Sequence, residues 1–252
     1  MGEGPLGDGV SVTAVHEPRN PVEREVWDAL GRVMDPELDE PVTDLGFIYE
    51  WGVEDGVARV RLRLPTYFCA PNFAWMMVAD AHDALGTIDG VKTADVRLDD
   101  YFASDEINAG VASATGFVGS FAGEASDDLG ELRMTFYRKA YTAALERVCR
   151  TLRRQGVGLE DLEGRVVGDL PATADGERLL RRRRDVGLDD RPDAALLVDD
   201  HGRPIPIAEL SVWLRRAQTV RVNIEGNGEI CRGLLHTRYH LGELETQLSG
   251  SK

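Results

Sequence analysis

The segment Val57 to Leu64 sets the strongest limit on the fold. Val60, Leu62 and Leu64 alternate there with Arg59, Arg61 and Arg63. Period-two alternation specifies a strand with one buried face and one face of guanidinium groups. Glu54-Asp55-Gly56 precedes it and reads as a tight hairpin turn, with Phe47 to Val53 as the partner strand. A two-stranded ribbon is not stable alone, so the flanking segments must cover its apolar face.

Those segments are helical in pattern. Pro21 follows Asn20, and Val22, Val26, Leu30 and Val33 recur at helical spacing up to Met34. Asp35-Pro36 then ends the helix, because a residue before proline leaves the α region. After the hairpin, Asn72 is the expected cap of a helix to Leu85, with Phe73, Met76, Met77 and Leu85 inward. Val91 to Leu98 reads as a third strand. The order helix, strand, strand, helix, strand defines an α+β domain over residues 21–103.

The remainder divides by composition. Residues 1–20 are rich in Gly and Pro and read as a flexible arm. Gly2, Gly4 and Gly7 match a dinucleotide fingerprint in letters only, since no strand precedes them. Residues 104–130 form a connecting segment or lid: from Ala109 to Ser126, 12 of 18 residues are Gly, Ala or Ser, yet Val111, Phe117, Val118 and Phe121 are apolar. Residues 131–252 read as a smaller α+β region. Leu132 to Gln155 and Gly176 to Val186 are its helices. Ala194 to Val198, Val212 to Leu214, Val220 to Ile224 and Ile230 to His236 are strand candidates, with Asn227-Gly228 as a hairpin turn.

Charge and cysteine content exclude whole classes. The net charge is −15, with 44 acidic and 29 basic side chains, which argues against nucleic acid as a partner. All of the excess lies in residues 1–126, with 23 acids and 8 bases, against 21 of each in residues 127–252. The run Arg181 to Arg184 is flanked by Glu177, Asp185, Asp189 and Asp190, so a solvated face or a protein contact is expected there. No signal peptide or membrane span is read, and three separated cysteines form no disulfide framework. Both suit the cytoplasm. Only three of the 29 bases are lysine, a bias of GC-rich bacterial genomes.

Three short signatures follow one another in the first domain. They are Met34-Asp35-Pro36-Glu37-Leu38, Val42-Thr43-Asp44-Leu45-Gly46-Phe47-Ile48, and Leu64-Pro65-Thr66-Tyr67 ahead of a Cys/Pro turn. In that order they resemble the metal–sulfur cluster biosynthesis family, the iron–sulfur cluster assembly proteins of PaaD and SufT-like kind. The resemblance covers residues 21–98. It implies an assembly or maturation role and no catalysis on a small substrate. The family turn commonly reads Thr-x-x-x-Cys-Pro, whereas here Ala70 holds the cysteine position and Cys69 lies one place earlier.

The candidate residues for interaction or metal are therefore Asp35, Glu37, Asp44, Thr66, Tyr67, Phe68 and Cys69. Asp35, Glu37, Asp39, Glu40 and Asp44 could supply hard oxygen ligands to iron. Aspartates in turns equally serve nearby backbone amides. Tyr67 and Phe68 are candidate aromatic anchors, and Asp39 and Glu40 are expected on an exposed loop that orients a basic partner. Cys231, His236 and His240 have spacings compatible with a transition metal. No residue pattern requires a cofactor. The resemblance implies iron or an iron–sulfur cluster.

No hydrolase, P-loop or Glu-x-x-His pattern is present, so the chain is not expected to be an enzyme. By analogy with family members beside bacterial multicomponent oxygenases, the expected role is an auxiliary protein for a di-iron monooxygenase. Its partners would be the apo-hydroxylase subunit, a chaperonin and a second copy in a homodimer. The alternative is a thiol-dependent redox protein or iron–sulfur cluster carrier using Cys69.

Overall fold

The computed structural model describes residues 16–121 and 129–241. The glycine fingerprint at residues 2–7, most of the arm and residues 122–128 of the small-residue segment lie outside the described residues. The chain forms two compact units that do not follow chain order. Among the described residues, one holds 16–34, 41–121 and 234–241; the other holds 35–40 and 129–233.

In the first unit, α1 spans Pro21–Leu30, shorter than its pattern, with Asn20 Oδ1 accepting from Glu23 N at 2.9 Å as the cap. Met34–Asp35 (β1) and Glu40–Pro41 (β2), each with one residue in either unit, are two-residue strands that pair with each other. The main sheet has the order β3 (Ile48–Glu54), β4 (Val57–Leu62), β5 (Thr93–Leu98). The hairpin β3–β4 is antiparallel and turns at Asp55 and Gly56, both with positive φ. That conformation suits the two-residue turn of a twisted hairpin. β5 runs parallel to β4, so α2 (Pro71–Gly86) is its crossover.

The buried face carries Ala58, Val60, Leu62, Val96 and Leu98, covered by Val26 and Leu30 of α1 and Met76, Met77 and Leu85 of α2. The cap of α2 is Ala70 and not Asn72, because Pro71 already fixes the first helical turn. The opposite sheet face is not a uniform row of solvated arginines. Arg61 pairs with Asp95 at 2.7 Å, and Arg63 is buried with its guanidinium 4.4 Å from the Tyr239 ring. The small-residue segment packs onto this unit. Ile107 and Val111 of α3 (Ser104–Ala112) are buried, and Ser120 of α4 (Gly116–Ser120) accepts from Trp75 Nε1 at 3.0 Å.

The second unit is built on α5 (Gly130–Arg154) and α6 (Ala174–Asp185). Tyr141, Leu145, Val148, Cys149 and Leu152 of α5 pack with Leu162, Leu179, Leu196 and Leu210. The three predicted strands between residues 212 and 236 are overturned: Ile207–Arg238 is one helix, α7. Residues 194–198 contribute only the isolated bridges Val166↔Ala195 and Val198↔Pro204. Local β-branched residues suggested strands, but Leu210, Ala217 and Ile224 are buried at seven-residue intervals, a helical period. Asn227-Gly228 is likewise no turn. Among the described residues, no helix is long and apolar enough to cross a membrane.

Candidate functional site

The link from β4 to α2 is held from beneath and leaves its aromatic side chains outside. Thr66 Oγ1 accepts from Phe68 N at 3.3 Å and lies 3.3 Å from Cys69 Sγ. Tyr101 O–H donates to the Cys69 carbonyl at 2.5 Å. Burial pushes the Tyr101 phenol upward, so it remains a donor. Arg238 donates to the Leu64 carbonyl at 3.0 Å and to the Asp100 carbonyl at 2.7 Å, tying both sides of the site.

On this base Tyr67, Phe68 and Phe102 stand in solvent. Phe68 is 80% exposed, against 45% for Tyr67 and 46% for Phe102. Their rings contact one another, with centroids 5.2 Å apart for Tyr67 and Phe68 and 6.2 Å for Phe68 and Phe102. Tyr101 joins through Phe102 at 4.7 Å. An exposed cluster of three aromatic rings is the kind of surface that marks interaction sites. Phe102 and Tyr101 are absent from the sequence-based set. The signal was a Tyr-Phe pair directly after Asp99-Asp100, just beyond the end of β5 at Leu98, which parallel pairing brings beside the end of β4.

Within the acidic signature, Asp39 has a different role from the one expected. Residues 35–40 belong to the second unit, while Thr66–Pro71 belong to the first. Asp39 is buried and forms an ion pair with Arg182, which also holds Asp185 at 2.6 Å. Glu40 accepts from Arg232 at 2.5 Å, and exposed Glu37 accepts from Asn227 Nδ2 at 3.4 Å. A Cβ at Gly228 would stand 2.9 Å from Glu40 Oε1, so glycine admits that carboxylate close to the helix. The expectation of an exposed, orienting Asp39 is therefore corrected. Asp35 Oδ1 accepts from the amides of Glu37 and Leu38, both at 2.9 Å. Burial raises its carboxyl to about 6 despite those two bonds. Asp44 is exposed and belongs to the first unit.

The four-arginine run is structural as well. Successive helical residues point about 100° apart, so the run cannot share one face. Arg182 and Arg183 are buried, and Arg183 donates to the carbonyls of Asp189 and Ala195 at 2.6 and 3.1 Å. Arg184 faces out and pairs with Asp190 at 2.6 Å.

No disulfide links the three cysteines. Cys231 and His236 lie on α7, where five residues separate side chains by about 140° around the axis. His240 follows the helix. Among the described residues, no group of three or more His, Cys, Asp or Glu is placed to hold a metal ion. Cys231, His236 and His240 are thus not assembled into the proposed site. Cys69 has a hydroxyl beside it, Asp39 is taken by Arg182 and Asp35 by two amides, so this donor set does not fit a resident iron or cluster.

With this geometry in place, comparison with known families is informative about the first unit. Residues 23–96 match the family described as iron–sulfur cluster assembly protein. The matched segment is similar to that family from α1 through most of β5 and contains the Thr66–Pro71 turn. It spans less than a third of the 252-residue chain. No curated protein matches the chain. The family supports a role in iron–sulfur or metal cluster biogenesis and is compatible with iron or a cluster.

Proposed function

We propose that the chain is a non-catalytic maturation factor whose first unit docks a metal-free client enzyme. The client class that fits best is the hydroxylase subunit of a bacterial multicomponent di-iron monooxygenase, with a chaperonin as a further partner in folding it. The exposed cluster of Tyr67, Phe68 and Phe102 carries this reading. Aromatic side chains bury much area at little conformational cost and are enriched among residues that dominate binding. A rigid base of hydrogen-bonded loops presents them, which limits the ordering entropy lost on docking. The iron is then cargo destined for the client's own ligands.

The test is co-expression with the client subunit, followed by affinity capture and assay of client iron. Phe68→Ala combined with Phe102→Ala removes exposed rings and should leave the melting temperature unchanged. Capture and client iron should both fall by about tenfold or more, as loss of two anchors at about 1–2 kcal/mol each implies. Full capture by this variant would refute the docking surface. Loss of client iron in Cys69→Ser, with capture intact, would favour the cluster-carrier reading instead.

A further inference from the structure

The second unit contains an arginine cleft that neither the acidic loop nor the aromatic surface uses. Between α5 and α7 lies an open cavity of about 440 Å³, lined by Arg150, Arg153, Arg154 and Arg215 together with Ser211 and Gln218. Its size falls within the range of about 300–1,000 Å³ typical of small-molecule sites. The helices run antiparallel here, since Arg147 pairs with Glu225 and Glu146 with Arg221 further along the same seam.

The charge balance of this cleft is anomalous for the chain. Acids outnumber bases by 44 to 29, and several arginines of this unit hold a carboxylate. Arg182, Arg184, Arg191, Arg203, Arg221 and Arg232 all do. Arg150, Arg153, Arg154 and Arg215 have none within ion-pair distance among the described residues. Glu146 also lines the cleft, but Arg221 Nε binds its carboxylate at 2.5 Å. Arg150 is half-buried, and its Nε is shielded from solvent with no hydrogen-bond partner.

We infer that this cleft binds a small molecule carrying two linked phosphate groups, either inorganic pyrophosphate or the diphosphate of a nucleotide. Guanidinium groups match phosphate oxygens in paired hydrogen bonds, and arginine suits that task better than lysine. Two linked phosphates carry about −3 at neutral pH, because the shared bridge removes ionisable hydroxyls, and so offset most of the four guanidinium charges. A single carboxylate would leave most of them uncompensated. Ser211 and Gln218 add neutral donors on the α7 side.

Calorimetric titration of the full chain at low ionic strength tests this. Inorganic pyrophosphate should bind at one site per chain, about tenfold or more tighter than orthophosphate, and added salt should weaken it. ADP distinguishes the two sources: binding at least as tight as pyrophosphate assigns a nucleotide, weaker binding an inorganic ligand. Arg150→Gln with Arg154→Gln should weaken pyrophosphate by about 100-fold, at about tenfold for each charge-assisted bond lost. Arg216→Gln, on α7 but outside the lining, should change it by less than about twofold. Should the double variant melt below wild type, Arg215→Gln on the other helix decides by the same measure. Absence of saturable pyrophosphate binding, equal binding by the folded cleft variants, or tighter binding of a poly-glutamate peptide would overturn the assignment.

Discussion

Replacing Asp39 tests whether the acidic signature stabilises the second unit. The Asp39 and Arg182 side chains are 1% and 4% exposed, so their attraction is little screened. Removing one member of a buried pair costs about 3–5 kcal/mol, because the other charge stays behind. Arg182 keeps Asp185, which is partly exposed, so the lower end applies to Asp39→Asn. About 3 kcal/mol corresponds to a fall of about 6–12 °C in melting temperature for a chain of this size. Asparagine tolerates the positive φ of 53° at this position, so the change isolates the charge. Asp39→Ala should cost more, since it adds left-handed strain. Asp39→Lys should cost at least as much as Asp39→Ala, because it places two cations together. The measurement is the urea midpoint of Asp39→Asn, Arg182→Met and the double variant. Coupling of about 2 kcal/mol is expected between them. A midpoint for Asp39→Asn within about 0.5 kcal/mol of wild type, or an additive cycle, would refute the reasoning.

Three further outcomes are expected. Asp35 has its carboxyl raised from 3.8 to about 6, so the folded state binds its proton more tightly than the unfolded state does. Its contribution is most favourable below pH 3.8 and is lost as pH rises to about 6, a change of about 3 kcal/mol. Asp35→Asn should abolish that slope in urea midpoints measured from pH 4 to 7; an unchanged slope would assign it to other groups. Cys149 is buried, and burial pushes its thiol up to about 12, so iodoacetamide should label Cys69 while sparing Cys149 in the native chain. Mass spectrometry of the digested product reads this, and native labelling of Cys149 would contradict its place in the core. A fragment of residues 18–103 lacks Ile107 and Val111, which are buried in the first unit, so it should melt below a fragment of residues 16–121. Equal melting temperatures would show that α3 adds nothing to that core.

Periodicity and local chemistry were enough to define much of the first unit. The alternation at Val60, Leu62 and Leu64, the Asp55-Gly56 turn and the Asn20 cap act over a few residues, and each predicts its own element. The exposed Tyr67 and Phe68 were legible for the same reason, since they sit in a short link between two predicted elements. Tertiary structure decided what local pattern could not. Val212 to His236 contains β-branched residues and Asn227-Gly228, which favour strands and turns in isolation. Burial of Leu210, Ala217 and Ile224 along one helical stripe outweighs those preferences. Phe102 joins Phe68 only because β5 lies parallel to β4 and brings their ends together. Asp39 and Arg182 lie 143 residues apart, and no local rule pairs charges at that separation. Side-chain charge is written in the sequence, but its partner and burial are set by the chain's path in space. Asp39 therefore reads as an exposed loop residue in sequence and becomes a buried, ion-paired support in the fold.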